Sequence, residues 1–173
     1  MTNISLQEIK DVLSLTATRW LGLAGTVSAD LLTCTPAPHE WSAMDCLIHL
    51  LDAEQMVFPV RLRAFMEGQP IVAFDPDTEG TKDSTLTPEQ MASEFARLRK
   101  ASLAELERVT AQDLARSIHH SELGLVTLGQ LLYEWAAHDL MHTVQAERAL
   151  MQPFIRECGP WRPYFQDHDA DVG

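Results

Sequence analysis

Chemistry can be argued first from His138 and His142. They stand four apart in the stretch YEWAAHDLMHTVQAE, so on a helix both imidazoles leave one face and can reach a single ion. Imidazole nitrogen suits zinc, nickel, iron or copper. The spacing alone is met equally well by two half-buried histidines hydrogen-bonded locally. Their surroundings favour a metal. Leu131, Leu132, Trp135, Leu140, Met141 and Val144 are apolar, and neutral imidazoles beside an apolar stripe need partners for their ring nitrogens. A cation supplies one partner to each ring, and a nearby carboxylate can supply the other. Glu134, one turn before His138, is the candidate for that supporting role, with a solvated surface charge as the alternative. A third ligand must come from elsewhere, and His49 is the one other histidine inside a helical pattern, among Leu47, Ile48, Leu50 and Leu51. Two histidines from one helix and one from a facing helix give three nitrogens and leave positions for water or substrate. That is the pattern of catalytic rather than structural metal sites.

The remaining reactive types fit this picture less well. His39 lies in a Pro-rich linker and His119 and His120 are adjacent in a connector, so all three read as exposed polar residues. His168 sits in the acidic tail FQDHDADVG, where disorder is expected. Arg61 and Arg63 follow the His49 segment, and one of them can reach an anionic substrate if it is not simply solvated. Cys46, one turn before His49, reads as a buried structural thiol. Nucleophile-elbow and nucleotide-loop motifs do not occur, and no residue declares itself catalytic.

Four helical segments must position these groups. Ser5 with Glu8 forms a capping box for a helix to about Val27, with Leu6, Ile9, Leu13, Trp20 and Ala24 on one face. Ser42 caps a second helix to Met66, with a kink expected at Pro59 because the apolar pattern continues past it. Residues 67–86 form a connection longer than is usual in a bundle. Thr87-Pro88-Glu89-Gln90 opens a third helix to about Val109, and Thr127 with Gln130 opens a fourth to about Leu150. No strand-like alternation competes. The architecture expected is all-α, a four-helix bundle with a long connection between helices 2 and 3 and a C-terminal aromatic and Pro-rich tail. One domain spans 1–173, with its core at 5–150, and the tail at 151–173 packs Phe154, Trp161, Tyr164 and Phe165 over one end.

The chain has 173 residues, enough to bury a sizeable core. With 25 acidic against 13 basic residues it carries a net charge of −12. That argues against nucleic acid as the main partner, since phosphate binding needs a basic face, and against anionic membranes. No apolar run approaches the roughly 20 residues that span a bilayer, and the N-terminus lacks the build of a signal peptide. Three cysteines without paired spacing fit reduced cytosol.

Two stretches resemble a known family. EWSAMDCLIHLLDAE looks like the second-helix signature of the DinB-like (DinB/YfiT-like) metal-binding bundles, and TLGQLLYEWAAHDLMHTVQ looks like their last-helix signature. Order and separation also match. The resemblance covers about residues 5–150 and implies a four-helix bundle whose metal histidines fall on His49, His138 and His142. Relatives in that family include S-transferases that use bacillithiol or mycothiol and a mycothiol-dependent maleylpyruvate isomerase, and they are often dimers. The resemblance therefore implies a homodimer with a low-molecular-weight thiol as cofactor; with the cysteine and imidazole readings above, the expectation is a cytoplasmic protein acting on a small molecule with zinc or nickel at the histidines. Three functions follow. A metal-dependent, thiol-dependent transferase or isomerase would present a thiolate at the metal. A metal-dependent hydrolase would acidify a bound water, with Asp52 or Glu54 as base. The third is a non-enzymatic metal- or small-molecule-binding bundle.

Overall fold

The computed structural model describes residues 4–81 and 85–171. The expectations for residues 1–3, 82–84 and 172–173 lie outside the described residues. Helix α1 (Leu6–Thr26) starts where expected, with Ser5 and Glu8 in a reciprocal capping box. A single turn, α2 (Ala29–Leu32), follows. The second long segment is α3 (Ala43–Asp52), a π turn (Ala53–Val57) and α4 (Phe58–Glu67). The short helix α5 (Pro76–Glu79) interrupts the long connection. Then come α6 (Pro88–Leu106) and, after a two-stranded hairpin, α7 (Leu128–Glu157). Among the described residues no helix is long and apolar enough to cross a membrane.

The four long segments form a four-sided bundle with a particular order. α1 packs against α6 and α7, and α3 packs against the same two. Segments consecutive in sequence, α1 and α3, and again α6 and α7, therefore sit on diagonals. Diagonal partners need long connections, which explains the linker before Ser42 and the stretch between Leu106 and Leu128.

Two apolar clusters fill the interior. One gathers Leu13, Phe58, Phe65, Leu106 and Trp135; the other gathers Trp20, Leu47, Met91, Phe95 and Ala146. Trp135 is fully buried and stacks on Phe58 with centroids 5.0 Å apart, so its truncation to Ala removes about 3–5 kcal/mol. Between the clusters lies a polar layer that includes Thr16, Glu54, Arg99, Ser102, Asp139 and Thr143, all buried.

Several details depart from the expectations. Pro59 produces a π turn rather than a plain kink: the Phe58 N–H reaches back five residues to the Ala53 carbonyl. The wider turn spares the carbonyl that a Pro ring would strike in an α-helix. The connector before α7 contains strands β1 (Ser117–His120) and β2 (Gly124–Thr127), paired antiparallel with His120 opposite Gly124. Gly124 takes φ 73°, which closes the hairpin. Helix α7 continues through Pro153 to Glu157. The tail is folded rather than disordered up to Asp171: Gln152 bonds His168 and Ala170, and Arg162 pairs with Asp169 and Asp171. Its aromatics do not cap the bundle. Trp161 is 63% exposed and Tyr164 82%, because polar bonds rather than ring burial anchor the segment. Leu140, Met141 and Val144, expected beside the histidine pair, instead face solvent on the outer side of α7.

Candidate metal centre

Helix α3 delivers His49 and helix α7 delivers His138 and His142, at the level of the polar layer. The structure brings all three together. Ligand-capable nitrogens of the three rings lie within 4.8 Å of one another, and the Nε2 atoms of His49 and His138 face each other at 3.0 Å. Nitrogens held about 2.0–2.1 Å from one cation stand at comparable separations. Burial holds all three rings below the ordinary histidine value. His138 is pushed down to about 3 by desolvation, with His142, His49 and two arginines adding to it. His142 falls to about 4, chiefly by desolvation and then by the charge of His49. His49 is lowered by desolvation against the opposing pull of Asp52. Three neutral imidazoles with converging lone pairs are suited to a divalent cation. The Nδ1 of His138 is buried without a partner among the described residues, so this ring is not satisfied by those residues alone.

Other side chains fix the rings. The Nδ1 of His142 pairs with the Gln145 side-chain oxygen at 2.9 Å, which leaves Nε2 for the cluster. Trp41 stacks on His142 with centroids 5.5 Å apart, and Phe58 meets His138 edge-on at 5.1 Å. Trp41 and Gln145 lie within the two family-like stretches, but sequence reasoning assigned neither a role at the histidines. Gln145 was within reach of it, because a residue three beyond a helical histidine shares its face.

A cavity of about 680 Å³ opens beside His49 and His138. Val57, Phe58, Phe65, Ile71, Phe74 and Leu131 make it mostly apolar, and Arg61, His120 and Glu134 give it polar points. His120 corrects the sequence reading. It is buried, and its Nδ1 accepts from the N–H groups of Glu122 and Leu123 at 3.1 and 3.3 Å. The hairpin turns it inward, while His119, like His39, is exposed as expected, and His168 is exposed on the folded tail. Glu134 makes no bond to a histidine ring; it sits 3.8 Å from Arg61, and desolvation raises its pKa. Arg63 instead pairs with Glu105 outside the cavity.

The two carboxylates expected as bases are engaged elsewhere. Asp52 accepts from the Thr81 backbone and hydroxyl, both at 2.7 Å, and so ties down the long connection. Glu54 belongs to a buried group with Arg99 and Asp139: Arg99 bonds Glu54 at 2.9 Å, Asp139 at 2.5 Å and the Leu13 carbonyl at 2.8 Å. Cys46 is buried, and its thiol is pushed up to about 12 by desolvation, so it is structural as expected.

A model of the DinB superfamily matches residues 13–146. A solved structure of YfiT from Bacillus subtilis, described as a probable metal-dependent hydrolase with an unusual four-helix bundle topology, is similar at a TM-score of 0.73. The two chains are 18% identical over 86% of this chain and 89% of that one. A DinB-like protein of Bacillus subtilis, YjoA, is similar at a TM-score of 0.58, with 22% identity over 88% of this chain and 92% of that one. No curated protein sequence matches significantly.

Proposed function

This chain belongs to the DinB superfamily, and on that premise we propose that it is a metal-dependent hydrolase that binds one divalent cation, zinc or nickel, through His49, His138 and His142. The observation that carries the reading is three neutral, convergent imidazoles at the end of a largely apolar cavity. A divalent cation held by three nitrogens supplies Lewis acidity toward a carbonyl or toward a bound water.

The chain's own residues supply the rest. Gln145 holds the His142 ring so that Nε2 points into the cluster. Trp41 and Phe58 cover its flanks and keep bulk water from them. Glu134 lines the cavity one turn before His138, and its raised pKa suits a carboxyl that accepts a proton from water and returns it to a leaving group. It replaces Asp52 and Glu54 as the candidate base, because those two carboxylates are already engaged.

Thiol-dependent transfer or isomerisation at the same site draws no support from the comparisons and is the second reading. One experiment separates the two. Zinc-loaded protein is assayed on small esters and amides with and without added thiol, beside elemental analysis of wild type and His49→Ala. Hydrolysis without thiol, abolished by chelation and by His49→Ala, is expected. Turnover only with a thiol would reverse the order, and wild type without stoichiometric metal under any loading would sink the metal reading.

A further inference from the structure

The wall of the cavity carries a feature that the metal reading does not use. Arg61 is largely withdrawn from solvent, its side chain 13% exposed, yet its polar contacts among the described residues are long: 3.8 Å to Glu134 and 3.5 Å to the Val72 carbonyl. Arg99, the other deeply placed arginine, has partners at 2.5–3.1 Å. A guanidinium has five donors, and a half-exposed carboxylate at 3.8 Å satisfies none of them by hydrogen bonding. His120 is complementary. Two backbone N–H groups point at its Nδ1, so the neutral ring carries its proton on Nε2 and acts as a donor in a fixed orientation. Both residues line the cavity that ends at His49 and His138.

We propose that Arg61 and His120 form a carboxylate anchor, so that the substrate is a small amphipathic acid. Its apolar body lies along Phe58, Phe65 and Leu131, its carboxylate on Arg61 and His120, and its reacting group at the histidine cluster. A carboxylate meets a guanidinium in two short parallel bonds, stronger than the loose pair with Glu134 that it displaces. Glu134 is thereby released for the proton transfers assigned to it above. The position of the reacting group rests on the metal-dependent reading; the anchor itself does not.

Hexanoate and its neutral isostere hexanamide test the anchor. Binding of each is followed by amide NMR shifts in zinc-loaded and metal-free protein, with zinc content measured on the same samples. Wild type should prefer hexanoate in both forms. Arg61→Gln should weaken hexanoate about tenfold or more while leaving hexanamide and zinc content unchanged. Arg61→Lys should fall between, and Arg63→Gln, on the outer surface, should match wild type. Equal binding of the two probes, no saturable hexanoate binding, or an Arg61→Gln protein that keeps the preference would overturn the proposal. So would hexanoate binding that needs zinc and ignores Arg61, because the carboxylate would then sit on the metal. If wild type takes up no zinc, the metal reading fails, and the contrast in metal-free protein still judges the anchor.

Discussion

His138 and Asp139 are neighbours on α7, yet they belong to two polar assemblies of opposite character. Asp139 joins Arg99 and Glu54 in a group without an open valence: the guanidinium meets two carboxylates and a backbone carbonyl, Ser102 bonds Glu54, and the rings of Phe95 and Trp135 cover the cation. His138 joins His49 and His142 in a group of converging ring nitrogens, and its own buried Nδ1 has no partner among the described residues. A buried charged group complete in itself holds helices in place. One left incomplete at the end of a cavity is built for something the chain does not contain. The cross-section thus places a rigid brace directly beside the cluster it must position.

The largest effect should come from breaking the brace. Arg99→Met leaves two carboxylates buried without their cation and should cost about 3–5 kcal/mol in chemical denaturation of metal-free protein. His138→Leu in the same assay should be nearly neutral, because it removes an unsatisfied group. Equal costs for the two would erase the distinction between the assemblies.

Acid sharpens the comparison. The three rings of the cluster are held below the unfolded-chain value of 6.5, with His138 near 3 and His142 near 4. As pH falls, the unfolded chain takes up protons first. Stability is therefore full above about pH 6.5 and declines as pH falls toward the folded values, by on the order of 1.4 kcal/mol per pH unit for each ring kept neutral. Metal-free protein should lose stability between pH 6.5 and 4, and His138→Leu should flatten that slope in urea titrations. An unchanged slope would mean that these rings are not neutral in the fold.

The smallest effect concerns one ring's support. Gln145→Leu should leave folding intact and weaken zinc about 10–100-fold in competition with a chelator. Unaltered affinity would show that the His142 ring is set by Trp41 alone.

The bundle and its three histidines were legible because their signals are local. Capping boxes at Ser5, Ser42, Thr87 and Thr127 start the long helices where they were read, and the spacing of His138 and His142 is a property of one helix. What was missed depends on tertiary placement. The hairpin strands are four residues each, too short for alternation to register, and only their pairing turns His120 inward. Glu54 sits five residues from His49 in sequence, but it meets Arg99 from α6 and is lost to the site. The tail was assigned by its rings, whereas Arg162 and Gln152 decide where it lies.

The π turn at Ala53–Val57 sets a rotary phase between two halves of one rod. His49 lies before it, and Phe58 and Arg61 lie after it. The wider turn absorbs one extra residue, so Phe58 and Arg61 reach the cavity wall in step with His49. Removing one residue from this turn would restore ordinary winding and leave that facing in place, whereas removing one from the regular helix on either side would swing everything beyond it by about 100°. A single-codon deletion should thus be tolerated at this joint and, elsewhere along the rod, part the grip on a cation from the grip on a substrate.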